Sequence, residues 1–422
     1  MRRAALAAAL LCAAAAGEAH AAFSPPTQLI GGATRLAVTA ASDAAGTTTA
    51  VVTGAGSPKL LARRRGGTWA PAVRLPGSPR GVAGPVLDAA GDGALAIAWR
   101  VDAPRRYSGV DVALRDPGGA LSEPIAVAGA SAGGVRHPAI AVDGAGDALL
   151  AYNSATRASH LSLRGRIAVA YRLGGGGRVS RPVIVDRQLS GPPAVALAPD
   201  GTGVVAWARG GRLYTATVLA GGRIARPLAL AKAPGLRGLA AVAGADAATV
   251  AWSGRDGVHA ATRTAGGEFG TPRTLSSVIA FVPDLALAVD ERGRATLAWT
   301  EERSRGDRVL TAAASVGHAF GAPRTLATSA SRRFGPPAVG AARGRAVIAW
   351  SYTLGRSRHG VQAVAGTGAP QTLAATTLTN AFVSEAPALA VAADPRGPAT
   401  VLFGQPVPTP TVLQWRLLAA DG

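Results

Sequence analysis

The chain has 422 residues, a formal net charge of +20 and one cysteine, Cys12. A lone cysteine excludes an internal disulfide framework and a multi-thiolate metal site, and a positive balance carried almost wholly by arginine favours acidic partners. Alanine and glycine dominate the rest, a bias that a GC-rich genome also produces, so composition alone does not identify a polyanion ligand.

In chain order, Arg2 and Arg3, the apolar run from Ala4 to Ala16 and the small-x-small triplet Ala19-His20-Ala21 predict a signal peptide over 1–21, cleaved after Ala21. Leu11 stands where a lipidated cysteine would follow a small residue, which speaks against lipidation of Cys12. No later run reaches the ~18 uninterrupted apolar residues that a transmembrane helix needs. The expected mature protein is therefore exported, secreted or held at the exterior of the cell envelope, and monomeric.

The remainder, 22–422, reads as one domain built from a repeat. An apolar run leads into a turn often spelled Asp-x-x-Gly, and a second run follows, ending in Ala-Trp. Leu285 to Val289, the turn Asp290-Glu291-Arg292-Gly293 and Ala295 to Trp299 show it best. Anchored on the turn, the repeat recurs at Gly46, Gly93, Gly146, Gly201, Asp246, Gly293, Gly344 and Gly397, a spacing of 45 to 55 residues. That period fits a four-stranded propeller blade. Six residues beyond each anchor stands Val52, Trp99, Tyr152, Trp207, Trp252, Trp299, Trp350 or Phe403. Short Val-, Leu- and Ile-rich runs punctuated by glycine turns read as strands and hairpins.

A third run follows a variable loop, and a fourth carries Phe-x-x-Pro-x-x-Leu, as in Phe320, Pro323 and Leu326 or Phe269, Pro272 and Leu275. Trp69 and Leu75 mark it in the first repeat. Proline cannot donate to a central ladder, so the fourth run belongs at the outer edge of each sheet. The last repeat, about 386–420, lacks a fourth run, while Phe23, Pro26 and Leu29 supply one at the other end. The predicted fold is thus all-β: an eight-bladed β-propeller of four-stranded antiparallel blades, its last blade closed by an N-terminal strand over 23–30.

The combination of Pro-x-apolar-Ala-Val-Asp-x-x-Gly, Ala-Trp and Phe-Gly-x-Pro-x-x-Leu resembles the repeats of secreted bacterial sialidase-like propellers. The resemblance spans nearly the whole mature chain and implies the fold. Sialidases also carry Ser-x-Asp-x-Gly-x-Thr-Trp boxes, an arginine triad, a tyrosine nucleophile and acidic partners, and none of these is matched residue by residue here.

For function, the recurrent aromatics are expected between blades rather than in sugar platforms, because a residue in phase in every repeat packs the repeat. Asp43, Asp143, Asp290 and Asp394 are expected to cap turn amides rather than bind calcium. Scattered histidines give no zinc spacing, and no cofactor motif is present. The variable loops between second and third strands carry Arg105, Arg106, Arg157, Arg209, Arg212, Arg255, Arg303, Arg305, Arg356 and Arg358. Blade connections on the same face add Arg35, Arg80, Arg136, Arg187, Arg237, Arg332 and Arg333, while the opposite face reads as mostly glycine-rich turns. Guanidinium groups converging on one face would hold carboxylate or phosphate, so the expected role is a non-catalytic scaffold for an acidic glycan or acidic protein. The bland alternative has these arginines pairing with Asp102, Glu301, Glu302 and Asp307. A rival reading is a glycoside hydrolase or lyase using residues such as Asp284, Glu385, Tyr107 or Tyr352 in the funnel. Nucleic acid is disfavoured by export and by the lack of a recognition motif.

Overall fold

A computed structural model describes residues 23–33, 36–54, 58–76, 82–91, 93–101, 109–128, 134–157, 163–188, 190–277, 284–304, 306–355, 357–377, 388–407 and 414–422. Eight antiparallel sheets follow one another along the chain; six are four-stranded meanders in sequence order, and in blade four the outer edge is split, Arg223–Ile224 and Leu228–Lys232 both pairing with Arg212–Leu219. Blades one to seven span 37–74, 82–128, 135–186, 194–232, 238–276, 285–329 and 332–377. Blade eight joins Leu389–Ala392, Thr400–Val407 and Gln414–Asp421 to Thr27–Ala33 from the N-terminal side. Its outer pairing sets Thr27 against Ala419 and Ala33 against Trp415. Regular pairing therefore begins at Thr27, later than the expected 23–30. Phe23 instead packs into the core shared with blade seven, and its amide donates to Gln371 Oε1 at 2.9 Å.

The same offset holds for the other prolines. Pro124, Pro182, Pro272, Pro323 and Pro370 each immediately precede the outermost strand, where no ladder bond is lost. First strands are innermost. They enclose a central channel of about 320 Å³ whose wall takes residues from every blade, among them Ala41, Asp88, Ala141, Ala196, Val289 and Gly340.

The in-phase aromatics fill the space between blades. Trp99, Trp207, Trp299, Trp350 and Phe403 have no exposed surface, and Tyr152 and Trp252 are buried as well. Each such ring removes on the order of 200 Å² from water, which accounts for its recurrence. Turn chemistry is as expected. Asp143 accepts amides from Ala145 and Asp147, both at 2.9 Å, and Asp290 accepts those of Arg292 and Arg294 at 2.9 and 2.8 Å. Gly293 takes φ 73°, and in blade five Asp246 itself adopts φ 52°, a conformation that aspartate tolerates better than most residues.

Adjacent blades are stapled by arginine on this turn face. Arg172, at the end of the third strand of blade three, holds Asp116 of blade two bidentately at 2.6 and 2.8 Å. Arg115 of blade two reaches Asp43 of blade one at 3.5 Å. Ring closure repeats the device twice, Arg65 gripping Asp394 at 2.6 and 2.5 Å and Arg63 gripping Asp421. Each guanidinium reaches back to the preceding blade.

Candidate binding surfaces

Two surfaces present exposed charge or an accessible ring to a ligand. One is the loop-face rim of blades four and five. The other is the seam between blades eight and one.

Several arginines of the loop face are structural. At the boundary of blades three and four, Asp186 of blade three, almost wholly buried, accepts the Trp207 indole N–H at 2.7 Å and Arg209 Nη1 at 3.0 Å from blade four. The Arg209 guanidinium also lies 4.2 Å from the centre of the Tyr214 ring. Blade six repeats the arrangement with Glu301, which accepts from Trp299 Nε1 at 3.1 Å, Arg303 Nε at 2.9 Å and the Ser276 hydroxyl at 2.5 Å. Arg333 bridges Asp307 at 3.1 Å and Glu302 at 3.8 Å. A carboxylate taken out of water needs charged partners and hydrogen bonds, so Arg209, Arg303 and Arg333 are already engaged. Pairing with Glu301, Glu302 and Asp307 is thus observed. Asp102 lies outside the described residues.

Arg212, Arg255 and Arg358 differ. All three are exposed and have no side-chain hydrogen bond or ion pair among the described residues. Arg212 stands in register with Arg209 on one side and with Lys232 on the other, placing three cations across successive strands. Asp186 compensates Arg209 alone. Arg255 approaches from blade five, its stem lying against Gly235 so closely that a Cβ there would sit 2.8 Å from Arg255 Cγ. Arg358 belongs to blade seven, across the sheet from Thr377 and Leu354, and does not join this group. Arg105, Arg106, Arg305, Arg356 and the side chain of Arg157 lie outside the described residues. Lys232 was not among the expected site residues. It is one of two lysines in the chain, and only strand register reveals its place.

The expectation that the opposite face is mostly glycine is corrected by the structure. Third strands of blades one, two, three and five end at arginines, Arg63, Arg115, Arg172 and Arg263, which reach the neighbouring blades. A cavity of about 800 Å³ on that face is lined by Arg292, Arg343, Arg345 and Asp394 among others. Arginine is distributed over both faces.

At the seam, a groove of about 480 Å³ runs between the closing strand and the outer edge of blade one. Trp69, Arg63, Asp421, Gln28, Thr27 and Thr68 contribute to its wall. Trp69 is half-buried, with the Arg63 guanidinium 5.3 Å from its ring centre.

Of the funnel residues named for a hydrolase, Tyr107 and Glu385 lie outside the described residues. Tyr352 is buried under the Arg332 guanidinium, 4.6 Å from the ring centre. Asp284 accepts the Leu285 amide at 2.8 Å, and burial pushes its carboxyl above the ordinary aspartate range. These residues do not form an assembled acid–base pair among the described residues.

No family model matches the chain, and no curated protein does. Among solved structures, a prolyl endopeptidase is similar with a TM-score of 0.50 and 14% identity, over 88% of this chain and 54% of that one. This chain thus spans about half the length of that enzyme. An ulvan lyase of polysaccharide lyase family PL25 gives a TM-score of 0.48 and 9% identity over 83% and 97% of the two chains. A Trypanosoma rangeli sialidase gives 0.35 and 10% identity over 78% and 53%. The first supports the propeller fold, and the other two are too loose to carry an argument. Propellers host unrelated chemistries, so fold likeness does not transfer activity; the conclusion that stands is that this chain is an eight-bladed β-propeller closed by its own N-terminal strand.

Proposed function

We propose that the protein is an exported, non-catalytic binding propeller that engages an acidic glycan through the loop-face rim of blades four and five. One observation carries the reading: Arg212 and Lys232 stand directly opposite each other with no carboxylate between them among the described residues. Like charges directly opposite on adjacent strands destabilise a sheet. A polyanion laid across them, with Arg255 beside, converts that repulsion into attraction. Exposed guanidinium groups suit carboxylate or sulfate because their planar fork donates two parallel bonds. Arg358, exposed on the loop face of blade seven, would extend the contact around the face.

The test is retention of the full chain on immobilised polygalacturonate as salt rises, with polyglutamate as the protein-like control. Retention should be strong at low salt and fall steeply, because exposed charge pairs are screened. Removing two exposed cations through Arg212→Ala with Lys232→Ala should weaken binding roughly ten-fold, at about 0.7 kcal/mol for each charge pair. Absence of retention at low salt, or an unaltered double variant, rejects the proposal. Preference for polyglutamate redirects it to an acidic protein.

A further inference from the structure

We infer that the groove at the seam of blades eight and one is a second binding site, taking a neutral pyranose ring stacked on Trp69. It is independent of the cationic rim and differs in chemistry.

Trp69 occupies the first position of the fourth-strand motif, where blades five and six carry Phe269 and Phe320. In blade six the ring is a plug, Phe320 being 1% exposed, while in blade five Phe269 is half-buried against the core between blades four and five. At the seam the half-buried ring, here the larger indole, has a groove of about 480 Å³ beside it, and one side of that groove is the closing strand rather than a continuous blade connection. That volume lies within the range of small-ligand pockets. Trp99, Trp207, Trp252, Trp299 and Trp350 are buried to within 1%, so among the tryptophans whose side chains are described, Trp69 alone offers accessible ring surface.

The rim of the groove matches the edge of a sugar. Arg63 and Asp421 form a bidentate pair that cancels their charges, which removes the reason for an anion to bind here. Asp421 also accepts the Thr400 hydroxyl at 2.7 Å, yet its side chain stays 32% exposed. A carboxylate offers about four acceptor positions, and three donors occupy Asp421, leaving one for a ligand hydroxyl. Thr27, Gln28 and Thr68 are exposed around the same cavity. An aromatic plane beside a fixed acceptor and a row of neutral donors recognises a ring with one apolar C–H face and hydroxyls at its edge.

The experiment titrates the full chain with methyl glucoside, galactoside, mannoside, fucoside and glucuronide while tryptophan emission and acrylamide quenching are recorded. At least one neutral glycoside should change the emission and protect the accessible fluorophore, with a midpoint in the millimolar range, and about 0.5 M sodium chloride should leave it unchanged. Trp69→Phe, which restores the residue used in other blades, should fold normally and lose the response at least ten-fold. Gln28→Ala, a change at an exposed side chain, should weaken it about three-fold without altering the unfolding midpoint. Arg212→Ala with Lys232→Ala should leave it intact, so the two sites fail or succeed separately. No response to any neutral glycoside at about 100 mM, an equal response from Trp69→Phe, or a response confined to the glucuronide and abolished by salt overturns the inference.

Discussion

Arginine does opposite work at the two candidate surfaces. At the seam, Arg63 and Arg65 are consumed by Asp421 and Asp394 and weld the last blade to the first. On the rim of blades four and five, Arg212 faces Lys232, and only the neighbouring Arg209 has an acid. A net charge of +20 therefore overstates neither surface and describes neither. What matters is whether each guanidinium has a carboxylate assigned to it by register.

Experiments on stability can break this contrast. The largest effect is expected from deleting 23–33, which removes the outer strand of blade eight together with Phe23, Leu29 and Ile30 from their cores. The unfolding midpoint should fall by roughly 10 °C or more; an unchanged calorimetric transition would contradict closure by this strand.

Arg172→Ala should cost about 2 kcal/mol, because it strands a carboxylate between two blades. The hydrogen bond from Arg172 holds the Asp116 carboxyl below the usual aspartate range. A lowered folded value contributes stability above the unfolded value and loses it as pH falls through the folded one. Denaturation of the variant against wild type should therefore show a gap at neutral pH that closes as pH falls below the ordinary aspartate range.

Asp88 reverses the sign. It faces the channel, half-buried, and accepts the amides of Ala89 and Val142 at 3.0 and 2.9 Å, but desolvation inside the channel pushes its carboxyl up to about 6. Its ionisation opposes folding above that value, and the penalty disappears as pH falls towards the unfolded value. Asp88→Asn removes the charge but turns a donor towards one of the two amides, so it should lower stability below pH 4 and become more favourable relative to wild type by about 1 to 2 kcal/mol between pH 4 and pH 8. A gain at low pH instead would show that the charge is not responsible.

The smallest effect belongs to the rim. Arg212→Ala should leave stability within about 0.5 kcal/mol of wild type or raise it slightly, since it relieves repulsion rather than breaking a pair. A loss comparable to that of Arg172→Ala would mean that Arg212 is a staple too, and the contrast would fail.

How far the sequence reveals these features depends on the range of the interaction. The blade phase is visible because the anchor and the aromatic lie six residues apart and both act locally on one hairpin, as Gly293 and Trp299 do. The N-terminal closure is visible because a complete motif is missing at one end and present at the other. Its start is misplaced by four residues because Phe23 and Pro26 are a plug and an entry point, which the motif does not distinguish from paired strand. The arginine faces are not legible in the same way. Arg65 finds Asp394 across 329 positions, and Arg209 finds Asp186 across a blade boundary. Both choices are made by sheet stacking, and nothing within either repeat announces them. Trp69 was legible only as a motif variant, since its accessibility depends on a neighbour from the opposite end of the chain.

The closing strand also orders events in time. Ser24 and Asp421, hydrogen-bonded to each other, lie 397 positions apart, so the segment synthesised early must wait for almost the whole chain before its partner exists. Contacts of such separation form slowly. Until they do, blade eight exposes an unpaired edge of the kind that recruits foreign strands. A chaperone that occupied 27–33 during synthesis would shield that segment's edge until blade eight is complete, and release of the segment would be the step that commits the ring.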